Sequence, residues 1–116
     1  MWRVGIAILC SFAMPATAAE DFTAKGVGTQ TCAKFVELYR LSSSHAEIIY
    51  VNWAQGFMTG MNMQRLASHV PTKNLKTVNS EVQQRQFRTY CDQHPAGDFM
   101  SGALELYLSL PDSDVP

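Results

Sequence analysis

Two cysteines far apart in a short, exported chain constrain this sequence more than any other feature. The export reading comes from the first residues. Met1-Trp2-Arg3 supplies a positive charge, Val4 to Met14 is apolar, and Pro15 to Ala19 brings Ala16 and Ala18 in Ala-x-Ala spacing. That layout predicts a signal peptide over residues 1–18, cut after Ala18 or Ala19. Cys10 lies inside the apolar stretch and leaves with it. It follows Leu9, whereas a lipid-attachment cysteine follows a small residue at the cleavage site. Cys32 and Cys91 remain, and an even count in an exported chain predicts a disulfide between them. The loop would span about 60 residues, a closure worth roughly 4 kcal/mol. A whole domain is stable by only ~5–15 kcal/mol. Free thiols or a metal pair are the alternatives. Zinc is disfavoured because neither a CxxC nor a pair of histidines supplies its remaining ligands.

Composition bounds the rest. The chain has 116 residues, room for one small domain. Apolar residues make up 47% and charged residues 16%, enough to bury a core. The formal charge of −1 gives no electrostatic footprint for nucleic acid. No apolar run approaches 20 residues, so no permanent membrane span is expected. Removing 18 of the 116 residues leaves 98, with eight Lys+Arg against ten Asp+Glu.

The periodicity predicts an all-α domain over residues 31–110, a small four-helix bundle tied by one disulfide. Residues 19–30 read as a flexible arm with Gly26 and Gly28, and 111–116 as a disordered tail. Helix one starts near Thr31, with Cys32, Phe35, Val36 and Tyr39 on one face, and ends in Ser42-Ser43-Ser44. Helix two is the longest. Ser44 and Glu47 fit a capping box at its start. Ile49, Trp53, Gly56, Phe57 and Gly60 form its stripe. Each glycine costs a helix ~1 kcal/mol relative to alanine. Gly56 and Gly60 therefore suggest a flat patch where another helix packs, inside the bundle or across a homodimer. Residues 69–79 form a connecting loop. Helix three runs from about Ser80 to His94, with Ser80 and Gln83 as a second capping box, and most of its surface is wet. Helix four begins at Pro95, carries Phe99, Met100, Ala103, Leu104, Tyr107, Leu108 and Leu110, and stops at Pro111.

Sequence patterns for chemistry are sparse. His45, His69 and His94 all fall at helix ends. No HExxH, GxSxG, P-loop or dinucleotide fingerprint occurs, and no pair of carboxylates is placed for acid–base work. Catalysis, a cofactor and a metal are therefore not expected. Met58, Met61 and Met63 could offer thioethers to Cu(I). At helical spacing beside Phe57, however, Met58 and Met61 read as adaptable core or interface filler. Trp53, Phe57, Met58 and Met61 make the candidate partner-binding region.

Two families of small exported helical proteins resemble this chain. Thr31-Cys32-x-x-Phe35, Gly56-Phe57, and Cys91 followed eight residues later by Phe99 resemble the HdeA/HdeB acid-stress chaperone family. Trp53-Ala54-Gln55-Gly56-Phe57-Met58-Thr59-Gly60, with His94-Pro95 before an Ala- and Leu-rich last helix, is similar to the Rap/Tai family of type VI secretion immunity proteins. The chain differs from the latter in ending Leu110-Pro111 without a closing cysteine. Both resemblances imply an HdeA-like or Rap/Tai-like helical fold without catalysis. The expected function is a periplasmic or secreted protein that binds another protein, immunity- or inhibitor-like. An acid-activated chaperone is the alternative: near pH 2, eight basic side chains and three histidines leave eleven positive charges that could open the bundle. A small-ligand or metal-binding protein is the third reading.

Overall fold

The computed structural model describes residues 23–113. The expected signal peptide at 1–18 with Cys10, the first residues of the arm and residues 114–116 lie outside the described residues. Among the described residues the fold is all-α, with no strand and two isolated antiparallel bridges. Helix α1 is Cys32–Leu41. After Ser42, three pieces run on without a break: α2 (Ser43–Ala46), a π-helical turn (Glu47–Val51) and α3 (Asn52–Ala67). Helix α4 is Ser80–Gln93 and α5 is Phe99–Ser109.

The caps explain where these helices start. Thr31 is extended, and its hydroxyl accepts from the Lys34 N–H at 3.2 Å. The second helix starts earlier than its Ser44 capping box implies. Ser42 holds the extended conformation of a cap and accepts from His45 N–H at 3.4 Å, which leaves Ser44 inside the helix. Asn79 likewise displaces Ser80 as the cap of α4, accepting from Val82 N–H at 2.9 Å. The last helix starts at Phe99, four residues after Pro95. Asp98 Oδ1 accepts from the Ser101 N–H at 2.8 Å and from its hydroxyl at 3.0 Å.

Disulfide and core meet at one end. The Cys32 and Cys91 sulfurs are bonded, with Cα atoms 5.0 Å apart. Beside them, the starts of α1 and α5 pair through Cys32 N–H to Gly97 C=O at 2.9 Å and Phe99 N–H to Gln30 C=O at 3.1 Å. This pairing sends Phe99 into the centre, where it is fully buried. Its ring lies 5.1 Å from Phe35, 4.8 Å from Tyr50 and 4.9 Å from Phe87, all tilted or edge-on. Rings 4.5–7 Å apart in such orientations attract beyond their area burial. One residue therefore joins α1, the π turn, α4 and α5.

Both terminal segments are tied down where they are described. The arm carries a 3-10 turn at Val27–Thr29, docked on Trp53. Trp53 Nε1–H donates to Lys25 C=O at 2.9 Å. Gly26 has φ +97°, and a Cβ on Gly28 would fall inside the Trp53 ring. Those two glycines thus let the backbone lie flat on the indole, where a loose arm was expected. At the other end, Asn74 N–H donates to Pro111 C=O at 2.8 Å and Ser113 N–H to Thr72 C=O at 2.7 Å. Lys73 Nζ reaches Asp112 at 3.1 Å. The expected loose tail is therefore paired as far as Ser113.

Asn62 locks this corner. Its Oδ1 accepts from Lys73 N–H at 2.8 Å and from the Tyr107 hydroxyl at 2.7 Å, while its Nδ2 donates to Lys73 C=O at 2.9 Å. One amide thus serves the connecting loop and α5 together. Asn62→Ala leaves three polar groups without partners, at roughly 1–3 kcal/mol for each that stays buried. Because the site is only part-buried, a net loss of about 2–3 kcal/mol is expected in urea unfolding of the oxidised protein. An unchanged midpoint would refute the lock.

Candidate functional site

The helical period divides the expected partner-binding residues. Met58 follows Val51 and Ala54 on the inward stripe of the second helix, and it is 1% exposed. It is core, and no partner can touch it. Trp53, under the arm, stacks on Phe57 at 5.3 Å with planes 12° apart. Phe57 and Met61 are half-buried on the flank. Of the four residues, Phe57 and Met61 alone remain uncovered by the arm and outside the core. Met63 is exposed, about 140° around the helix from Met58, so the three thioethers do not converge.

No helix packs on Gly56 or Gly60. A Cβ built at either position meets nothing within 4 Å, which corrects the expectation of close packing inside the bundle. The inward stripe is carried by Val51, Ala54 and Met58, and the glycines point away from it. Gly56→Ala and Gly60→Ala should each raise stability by about 0.5–1 kcal/mol, since alanine is the better helix former in open space. Thermal melts of both variants in the oxidised protein check this. A loss would mean that these positions are covered in solution.

His69 and His94 serve the chain's own structure. His69 takes φ +56° after α3, where Val70 N–H returns to Arg65 C=O at 2.9 Å and His69 N–H to Leu66 C=O at 3.1 Å. His94 ends α4 with Nδ1 2.8 Å from Tyr90 O and its ring stacked on Tyr90. Among the described residues no three His, Cys, Asp or Glu side chains gather as metal ligands. Burial pushes the hydroxyls of Tyr50 and Tyr107 above their ordinary value; for Tyr107, Asp112 adds to this, while Arg65 and the Lys73 backbone oppose it. The unfolded chain therefore ionises these tyrosines first. Their share of stability is intact below about pH 10 and falls as the pH rises past it.

Two surface features were not legible as sites. The first is a groove of about 490 Å³ between α1 and the π turn. Val27, Leu38, Leu41, Ile49 and Tyr50 line it, together with Gln30 and the charged Lys34 and Glu37. Leu41 is 79% exposed, and Ile48, next to the lining residue Ile49, is 63% exposed. Adjacent Ile48 and Ile49 cannot both face inward on a helix, and that was the available clue. The second is a pocket of about 370 Å³ between α3 and the start of α4, lined in part by Gln83. Gln83 is 3% exposed; its Nε2 donates to Val78 C=O at 3.1 Å, and its Oε1 has no partner. A buried acceptor left unpaired costs ~1–3 kcal/mol. The capping box expected of Ser80 and Gln83 is therefore not formed, and a buried glutamine is hard to foresee because the residue is mostly exposed.

Among the described residues no helix is long and apolar enough to cross a membrane. Comparison of the chain with protein-family models, with curated proteins and with solved structures finds no match.

Proposed function

We propose that this is an exported, non-enzymatic protein that binds another protein, immunity- or inhibitor-like. The observation that carries the reading is the pair Leu41 and Ile48, large apolar side chains mostly in water, with Leu41 lining a groove that mixes apolar and charged residues. Apolar surface of this kind, left open on a small stable domain, commonly marks a protein-interaction site. The resemblance to the Rap/Tai immunity and HdeA/HdeB chaperone families supports the same class. So does the scattering of titratable side chains, which offers a reaction no converging groups. Phe57 and Met61 form the second surface open to a partner.

The test uses the oxidised protein as bait in periplasmic extract of its own host, at pH 7 and at pH 3. A dedicated binder retains one stoichiometric partner at pH 7. Ile48→Asp, an exposed change that spares the core, should abolish retention. Loss with Met61→Asp but not with Ile48→Asp would move the docking surface to α3. Many partners held only at pH 3 would replace the dedicated binder with an acid-activated chaperone. No partner under either condition would count against the reading.

A further inference from the structure

We infer that Trp53 is a positioning residue for the groove between α1 and the π turn. Its ring is not part of the groove wall. It acts through the N-terminal arm, which it holds so that Val27 lines the groove. The meaning for function rests on the protein-binding reading of that groove.

The arm is anchored at two points, and Val27 lies between them. One anchor is the approach to α1. There Gln30 C=O accepts from Phe99 N–H at 3.1 Å, and the disulfide follows two residues on. That anchor belongs to the core and does not need Trp53. The other anchor is the indole. Trp53 Nε1–H donates to Lys25 C=O at 2.9 Å, and Gly26 and Gly28, the two neighbours of Val27, lie against the ring. With both neighbours held there, the Val27 side chain is delivered to the groove.

The two partners in this contact differ in firmness. The indole stacks on Phe57 at 5.3 Å and meets Phe99 edge-on at 6.2 Å, so the core backs it. The arm is a three-residue 3-10 turn closed by Thr29 N–H to Gly26 C=O at 3.1 Å. So short a turn, flanked by a glycine and holding another, has little to fix it without a surface. The Trp53–Lys25 bond is exposed, so releasing it returns both groups to water and strands neither. The arm therefore docks or leaves as a unit hinged at Gln30. A partner that touches Val27 in the groove binds the docked form, and Trp53 sets how much of that form is present.

The experiment uses the oxidised mature protein. Trp53 is its only tryptophan, since Trp2 lies in the expected signal peptide, so indole emission reports the arm. A Cβ at Gly28 would stand 2.1 Å from the ring, and Gly28→Val should drive the arm off. Emission should shift to the red, and the Val27 methyl resonances should move to unfolded positions. Those of Leu106 and Leu110 in the core should stay. Anilinonaphthalene sulfonate is the probe of the groove, followed at the Leu41 and Ile49 methyls. It should bind the variant about fivefold more weakly, for want of one apolar side chain in its site. Val27→Ala leaves the arm docked and should cause a similar loss without the red shift. The two changes together should cost no more than either alone. Val27→Ala keeps the test open if the Gly28 variant fails to fold. A partner retained from periplasmic extract should be lost with Gly28→Val. If the extract yields no partner, the protein-binding reading fails, and the probe still decides the positioning role. Emission that does not move, probe affinity unchanged after the red shift, or losses that simply add would each overturn the inference. So would a partner that Gly28→Val retains as well as the unchanged protein does.

Discussion

Replacing Cys32 and Cys91 together by serine should lower the unfolding free energy by about 4 kcal/mol, the closure entropy of a loop this long. For a domain of this size each kcal/mol moves the melting temperature by ~4–8 °C, so a fall of about 15–30 °C is expected. The bond holds α1 to the end of α4, close to where α1 also pairs with the start of α5. Without it, that junction rests on the Thr31–Asp98 bridge and on Phe35 against Phe99. Circular-dichroism melts with and without reductant, beside the double-serine variant, make the measurement. Reductant should reproduce the variant's melt. Equal melting of oxidised and reduced protein would mean that the bridge adds nothing to the fold.

Phe99→Ala should be nearly as damaging, at about 3–5 kcal/mol. The ring is fully buried and touches aromatic rings from α1, the π turn and α4. The surrounding helices cannot all collapse onto one small side chain, so a cavity remains. Phe99→Leu separates volume from ring geometry. It keeps most of the apolar bulk, loses the edge-to-face pairs, and should cost about 1–2 kcal/mol. Urea unfolding of both variants decides the matter. If leucine and alanine cost the same, the edge-to-face geometry rather than the volume carries the effect. Because Phe99 lies next to the paired starts of α1 and α5, its loss and the loss of the disulfide should not simply add.

The sequence carried the helical class well because periodicity is a whole-face property. Cys32 with Phe35, Phe87 with Cys91, and Phe99 with Ala103 and Tyr107 fall at helical steps, and all are buried. The cysteine pairing followed from count and compartment, and the bond is present. Boundaries were less legible, since several residues compete for each cap. Ser42, Ser44, Asn79 and Ser80 all have capping chemistry, and backbone angle chooses among them. The helix itself divides the expected binding patch. A step of one residue turns a helical side chain by about 100°, which parts Met58 from Phe57. No helix of the chain packs on Gly56 or Gly60; a glycine says only that no side chain is needed there. It does not say that something lies opposite. Gln83 and Asn62 were invisible for another reason: their partners, Val78 and Lys73 with Tyr107, are brought near by the loop after α3.

The disulfide has a further consequence for proteolysis. Residues 32 to 91 form a covalent ring that contains α1, the long second helix, the connecting loop and nearly all of α4. The exposed stretch from Ser68 to Pro71 is the natural place for a protease to cut it. Such a cut opens the ring and separates nothing. Both fragments stay on one molecule, and α5 stays with them through the chain after Cys91. Nicked and intact protein would migrate alike until reductant is added, and the nicked form would keep its four helices at full effective concentration.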